Sequence, residues 1–259
     1  MLTTKNDYSG QTRRPPEKSM IFGIRAVIEA IEAGKDIEKV LVRRDMSNEL
    51  TRQLMAKLEG NPTPIQKVPV EKLNQFTDKN HQGVIAFISP ITFQRLEDLV
   101  LNAFESGKAP FFVVLDGITD VRNFGAIART CECAGVDALV IPTHDIAAIN
   151  GAAVKASAGA LHHIPVCRVE NLGDGMKFLA NSGINIVAAT EKGDKNYTQC
   201  DFTLPTAIVM GSEETGIDPN RLKLCKEQLR IPMTGKIASL NVSVSAAVMI
   251  YEAIRQRSL

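Results

Sequence analysis

Three stretches of the 259-residue chain gather the side chains that can do chemistry. The first is Asp116-Gly117-Ile118-Thr119-Asp120-Val121-Arg122-Asn123-Phe124-Gly125-Ala126-Ile127-Ala128-Arg129-Thr130, which follows the apolar run Phe111–Leu115. Asp120 and Asn123 near a helix start suit a cap. Arg129 lies on a helix that otherwise reads as apolar or small, so it is either half of a structural ion pair or an anion-binding group. The second stretch is Met210-Gly211-Ser212-Glu213-Glu214-Thr215-Gly216-Ile217, directly after Ala207-Ile208-Val209. Two glycines bracketing acidic residues suit a tight turn where backbone approaches a ligand, or an ordinary turn with exposed carboxylates. The third runs from Ile231-Pro232-Met233 through Gly235 and Ser239-Leu240-Asn241 to Ser245. There a Pro/Gly loop leads into a helix start with Ser239 and Asn241 as polar caps, and backbone amides at such a terminus can hold a polar ligand. All three follow predicted strands at their carboxyl ends, where open α/β sheets bind ligands.

Other chemistries find no footing. No GxGxxG follows a strand and no GxxxxGK[ST] occurs, which excludes an ordinary dinucleotide fold and a P-loop. GxSxG and HExxH are also missing. His162-His163 has no nearby ligand partner and reads as structural or surface, and no metal is expected. Cys131, Cys133, Cys167, Cys200 and Cys225 form no CxxC and leave an odd thiol over, so reduced, mostly buried thiols in a cytoplasm are expected. The polar start, MLTTKNDYSGQTRRPPEK, has no apolar segment of the secretory kind, and no apolar run approaches a membrane span. With export unexpected, the sequons at Asn196 and Asn241 are discounted. Hydrophobic residues make up 44% and charged residues 23%, proportions of a folded soluble chain rather than a disordered one. The net charge of +1 is neutral about nucleic acid. Residues 1–90 hold 14 Lys/Arg against 11 Asp/Glu, a mild basic bias.

The elements that must position these groups fall into two series. Residues 1–18 look like a disordered arm. Ile24, Val27, Ile28 and Ile31 then mark a helix ended by Gly34. Val40–Val42 reads as a strand, Leu50, Leu54 and Leu58 as a helix face, Ile65–Val68 as a strand, Val70–Phe76 as a short helix and Val84–Ile88 as a strand. This is an αβαβαβ unit over 19–90. Pro90 breaks it, and Leu96, Leu99, Val100 and Ala103 suggest a helix within a linker, 91–108. The nearly continuous apolar run Phe111–Leu115 opens a second unit, 109–259, and suits a strand covered on both faces. Further strands are expected at 138–141, 164–168, 184–189, 206–210 and 228–231, and helices at 124–134, 147–157, 172–181, 218–225 and 241–256.

Taken together, the Asn123-to-Arg129 segment, the Gly211-to-Gly216 turn and the Ile231-to-Ala247 segment resemble the three signature motifs of the SpoU-type RNA 2′-O-ribose methyltransferases, of the SPOUT superfamily (TrmH-like). The resemblance spans about 108–259 and implies an α/β trefoil-knot catalytic domain. Ile21-Phe22-Gly23 and Gln82-Gly83-Val84 resemble the ends of the ribosomal-protein L30e-like substrate-binding domain found in the large-subunit rRNA branch. Asp116-Gly117, Ala158-Gly159-Ala160 and Ile164-Pro165-Val166 also look like the rRNA enzymes.

The resemblance implies methyl transfer from S-adenosylmethionine to a ribose 2′-hydroxyl, with a guanosine of 23S rRNA as the expected target. The resemblance implies that Arg129 is the base or its organiser, helped by the substrate phosphate. Because a guanidinium stays protonated, we read it instead as a clamp on that phosphate that stabilises developing alkoxide charge. Asn123 would orient Arg129 or the ribose, and Glu213 would position polar groups around Arg129 and the nucleotide. Ser239 and Asn241 would shape the floor of the site, while backbone around Thr190, Gly211, Ile231 and Leu240 would hold the cofactor. A homodimer is implied, with Val244, Val248 and Ile250 of the last helix against a partner chain. The alternatives are methylation of tRNA or of a 23S rRNA adenosine of the resistance type, and a non-catalytic RNA-binding relative.

Overall fold

In the front segment, period-2 alternation of apolar residues is what separates two faces of a small sheet. The computed structural model describes residues 19–258, and the expected arm at 1–18 lies outside them. The described chain divides into two units: residues 19–59 together with Ile65–Ile88, and Gly60–Pro64 together with residues 89–258.

The first unit runs β1 (Met20–Phe22), α1 (Ile24–Glu32), β2 (Ile37–Arg43), α2 (Glu49–Leu58), β3 (Ile65–Val68), α3 (Val70–Asn74) and β4 (Val84–Ile88). Its sheet has the order β1-β4-β2-β3, with β4 antiparallel to both neighbours. Val27 of α1 and Leu54 and Leu58 of α2 bury against Val40, Val42, Val84 and Ala86 on one face. Asn48 caps α2 by accepting the Thr51 N–H at 2.9 Å. The unit therefore begins with a strand, not with the expected helix. Three residues are too short for a periodic signal, and β1 exists because β4, far along the chain, supplies its hydrogen bonds.

The second unit comprises α4 (Leu96–Glu105), β5 (Phe111–Asp116), α5 (Val121–Cys133), β6 (Ala138–Pro142), α6 (Gly151–Ala156), β7 (Val166–Val169), α7 (Leu172–Asn181) and β8 (Asn185–Ala189), followed by β9 (Lys195–Asn196), β10 (Thr206–Gly211), α8 (Pro219–Leu222), β11 (Glu227–Arg230) and α9 (Val242–Arg257). All strand pairs are parallel, in the order β7-β6-β5-β10-β8-β11-β9. Alternate residues of β5 and β10 serve two cores. Val113, Leu115, Ile208 and Met210 pack under α5 and α9, while Phe112, Val114, Ala207 and Val209 pack under α4 and α7. The expectation of strands covered on both faces holds.

The strand order places β11 between β8 and β9, which are consecutive in the chain. Past β11 the chain returns and α9 packs back on β10 and β8. The sheet order agrees with the expected α/β trefoil-knot class, whose threaded chain is an exception to ordinary topology. Arg257 secures the end of α9: its guanidinium donates to the Ala109, Phe202 and Leu204 carbonyls at 2.6, 2.8 and 3.0 Å and lies over the Phe111 ring.

Three expectations need correction. The segment 91–108 is no free tether, because Leu96, Leu99, Val100 and Ala103 of α4 are part of the second unit's core. The helix expected at 147–157 is only Gly151–Ala156, started by Asn150, whose side chain accepts the Ala152 N–H at 2.8 Å. Ile250 is fully buried within its own chain, whereas Val244 is 47% exposed. Helix α9 uses the Ile250 side for its own sheet and cannot offer it to another chain.

Candidate active site

Because β5 and β10 are adjacent and parallel, with Gly211 opposite Asp116, the loops leaving both strands emerge at one edge of the sheet. β8 and β11 follow on the other side of β10 and add the loops after Ala189 and Arg230. All three motifs therefore converge at the carboxyl edge, as open α/β sheets demand of a site.

Each loop is pinned by its own chemistry. Asp120 caps α5, accepting the N–H groups of Arg122 and Asn123 at 2.8 and 2.9 Å. Gly125 on that helix faces α6 so closely that a Cβ there would stand 2.5 Å from Ala156 Cβ. After β10, Ser212 and Gly216 exchange backbone hydrogen bonds of 3.1 and 3.0 Å, closing a tight turn. Gly211 is required by that turn, since a Cβ would meet the Gly216 carbonyl carbon at 2.3 Å. Buried Asp116, ending β5, accepts Asp218 N–H at 2.9 Å and Arg221 Nε–H at 2.8 Å, so it fixes the start of α8 from the neighbouring strand.

Asn241 joins the motifs. Its Nδ2 donates to Asn123 Oδ1 at 3.0 Å and to Glu213 Oε1 at 2.6 Å. The amide orientation follows, because a carboxylate only accepts. Glu213 Oε1 also receives Val242 N–H at 3.3 Å, and Asn241 Oδ1 accepts Ser243 N–H at 2.9 Å as the N-cap of α9. Both amide protons of Asn241 are thus engaged within the protein, and the residue acts as a clamp between the loops.

Two cavities flank the Ser212–Gly216 turn, which forms a wall of each. The larger, about 520 Å³, is lined by all four residues expected to hold a cofactor, Thr190, Gly211, Ile231 and Leu240, and by Glu213, Ser239 and Asn241. Its size lies in the range of ligand pockets. Met210, Leu229, Met233 and Ala238 add apolar surface suited to a flat ring, and the glycine turn admits close backbone approach. The second cavity, about 480 Å³, holds Asn123 with Asp116, Asp120, Glu213, Asp218 and Arg221.

Arg129 lines neither cavity. It is exposed on α5, six residues beyond Asn123 and so about 240° further round the helix. Among the described residues no carboxylate pairs with it. The ion-pair alternative is thereby set aside, and the group remains available to an anion from outside. Arg221 escaped the sequence reading. Its local signal was the Asp218-Pro219 helix start with an arginine in the first turn, but its partner Asp116 is 105 residues away.

Three thiols of the second unit are held in the protonated form. Burial pushes the Cys167 and Cys225 thiols up to about 12, with Glu97 and Asp116 respectively adding to the rise. Cys200 is pushed up to about 11, first by burial and then by Glu227. Among the described residues no three His, Cys, Asp or Glu side chains converge as a metal site.

A parallel sheet with three motif loops gathered at its carboxyl edge, in the strand order of the expected knotted fold, defines a class, the α/β-knot enzymes. Residues 110–251 match the model of the SpoU rRNA methylase family, and residues 20–94 match the RNA 2′-O ribose methyltransferase substrate-binding domain. The chain belongs to the SpoU rRNA methylase family. It is 35% identical over 242 residues to a Staphylococcus saprophyticus protein assigned to the TrmH family of tRNA/rRNA methyltransferases, covering 93% of this chain and 97% of that one. The structure of the SpoU methyltransferase AviRb of Streptomyces viridochromogenes, in complex with AdoMet, is 26% identical with a TM-score of 0.58, covering 92% of this chain and 90% of the other. The TrmH/SpoU tRNA-modifying enzyme of A. aeolicus is 31% identical with a TM-score of 0.53, and covers 63% of this chain and 84% of its own.

Proposed function

We propose that this chain transfers the methyl group of S-adenosylmethionine to a ribose 2′-hydroxyl of RNA, with a guanosine of 23S rRNA as its target. The observation that carries this reading is the meeting of Thr190, Gly211, Ile231 and Leu240 in one cavity beside the Asn123–Asn241–Glu213 clamp, in a member of the SpoU family. The ribosomal target is favoured because the resemblance includes a front domain of the substrate-binding kind. The tRNA-modifying relative from A. aeolicus covers only 63% of the chain.

When bound, the cofactor would supply an activated methyl on a sulfonium, so its leaving group departs neutral, no general acid is needed, and the hydroxyl proton is released to water as the oxygen takes the methyl. The protein's part is alignment, which can contribute roughly 7–11 kcal/mol. Backbone around the four loop residues would hold the cofactor, and Ser239 would contribute to the floor of the site. Asn241, saturated by Asn123 and Glu213, would keep the loops in register rather than touch the hydroxyl itself. Arg129, exposed and unpaired among the described residues, would meet the substrate phosphate and steady the developing alkoxide. Residues 19–90 would read the RNA and 109–259 carry the chemistry, as a cytoplasmic homodimer.

The test is transfer of labelled methyl to purified rRNA and tRNA, followed by alkaline hydrolysis. A 2′-O-methyl group removes the hydroxyl that alkali uses for cleavage. Label should therefore appear in an alkali-resistant dinucleotide with guanosine on its 5′ side, from large-subunit rRNA. Label in mononucleotides, or only in tRNA, would overturn the reading.

A further inference from the structure

The front unit covers its sheet unevenly. One face lies under α1 and α2. Over Met20, Leu41 and Ile85 on the other face stands the five-residue α3, through Leu73. Strand alternation sends Phe22 and Phe87 to this second face, and the register sets Phe87 between Met20 and Lys39 on neighbouring strands. Phe76, just beyond α3, meets Phe87 edge to face with ring centroids 5.2 Å apart. All three rings are half-buried.

Each ring also has an ammonium over it. Lys39 Nζ stands 4.9 Å from the Phe87 centroid, Lys79 Nζ 5.6 Å from Phe22 and Lys72 Nζ 5.8 Å from Phe76. Lys72 and Lys79 are exposed and Lys39 is half-buried. Arg43 is paired with Asp45 at 2.8 Å, and Glu71 and Asp78 adjoin Lys72 and Lys79 in sequence.

A lysine stem lying over one ring is ordinary packing, but three half-buried rings on one sheet face, each with an ammonium within about 6 Å of its centroid, make a larger aromatic and basic surface. Rings with movable cations suit unpaired nucleotides, whose bases stack on aromatic faces while phosphates take the ammonium groups. An exposed cation–π contact is weaker than a base–aromatic stack, so each lysine can leave its ring for a phosphate as a base arrives. A duplex presents free base faces only at its ends.

We propose that this face stacks unpaired bases of the RNA substrate, so that single-stranded RNA rather than duplex is the ligand of the front unit. The proposal rests on the reading of the chain as an RNA methyltransferase, but concerns a surface separate from the cavities of the second unit.

Fluorescence anisotropy of the full chain with a short oligouridylate, and with a blunt RNA duplex of equal length, tests it. Phe22→Leu and Phe87→Leu should each weaken oligouridylate binding by about five- to a hundredfold. Phe22→Tyr and Phe87→Tyr, which keep a π face, should stay within about twofold of the unaltered protein. Replacing Lys39, Lys72 and Lys79 by Gln should lower affinity and flatten the salt dependence by about two in the log–log slope. Unchanged binding by the Leu variants, equal losses in the Leu and Tyr variants, or a preference for the duplex would overturn the proposal. Calorimetry with S-adenosylmethionine separates the two readings. If the unaltered protein fails to bind it, the methyltransferase reading falls, while the stacking face is still judged by the RNA titrations.

Discussion

Arg129 and Asn123 share one helix and part company in space. Asn123 is held by Asn241 at the cavity, whereas Arg129 points its guanidinium to solvent. Arg129→Ala should therefore leave S-adenosylmethionine affinity nearly intact while lowering kcat by about a hundredfold or more, the scale of losing one charge-stabilising donor. Arg129→Lys should fail similarly, because a point charge does not reproduce a bidentate phosphate clamp. Calorimetry and methyl incorporation measured side by side decide this, and near-normal turnover by the Ala variant removes Arg129 from the chemistry. A second residue bears on stability. His81 Nδ1 accepts Gly83 N–H at 3.0 Å, which leaves Nε2 to donate to Asn74 Oδ1 at 2.9 Å. Burial, and then Arg43, lower its pKa below the ordinary 6.5. The unfolded chain binds that proton more readily, so the contribution is complete above about 6.5 and drains away as pH falls towards the lower folded value. Melting temperature between mildly acidic and neutral pH should climb more steeply for the native protein than for His81→Gln. Equal slopes would show that His81 carries no such linkage.

Among the elements, the turn after β10 bears the heaviest geometric demand. Gly211→Ala would drive a methyl group into the Gly216–Ile217 backbone, which has no side-chain rotamer with which to yield. We expect about 1–3 kcal/mol of lost stability, the usual cost of overpacking. A larger loss of cofactor affinity should accompany it, because the turn walls the cavity. Thermal melts with and without S-adenosylmethionine would detect both, and an unshifted melt with normal affinity would refute the reading of this turn. Helix α4 carries the complementary lesson. Its Leu96, Leu99, Val100 and Ala103 cover β5 and its neighbours, so a fragment begun at Gly107 would expose that layer to water.

At the scale of the molecule, a fragment starting near Ser89, which retains α4, should fold and bind S-adenosylmethionine yet lose most methylation of rRNA. If it methylates rRNA as well as the full chain does, the front unit is not the RNA reader. The second unit also leaves apolar side chains exposed before and along α9, with Ile237, Val244 and Tyr251 at 77%, 47% and 52% exposure. Val244 and Tyr251, seven residues apart, share a face of α9, and an exposed apolar helix face is the kind of surface on which the proposed homodimer would form. Light scattering should give twice the 28.2 kDa chain mass. A monomer mass at micromolar concentration would sink the homodimer. Tyr251→Asp, placed on that surface, should shift the equilibrium towards the single chain.

Much of this was legible along the chain. The apolar runs Phe111–Leu115 and Ala207–Val209 declared buried parallel strands, Asp120 and Asn241 declared helix starts, and Gly211 and Gly216 declared a turn. Each of those signals is complete within about ten residues, because side-chain period, capping and positive-φ preference are local properties of the backbone. Pairing is not local. Nothing near Met20 announces a strand, since its partner is Phe87. Asn241 gives no sign that Asn123, 118 residues earlier, will accept its proton, nor does Asp116 point to Arg221. The insertion of β11 between β8 and β9, the burial of α4 and the outward placement of Arg129 were likewise decided only by the tertiary structure. Strand order and helix facing depend on how distant surfaces fill one another's space, and that complementarity belongs to no single stretch of residues.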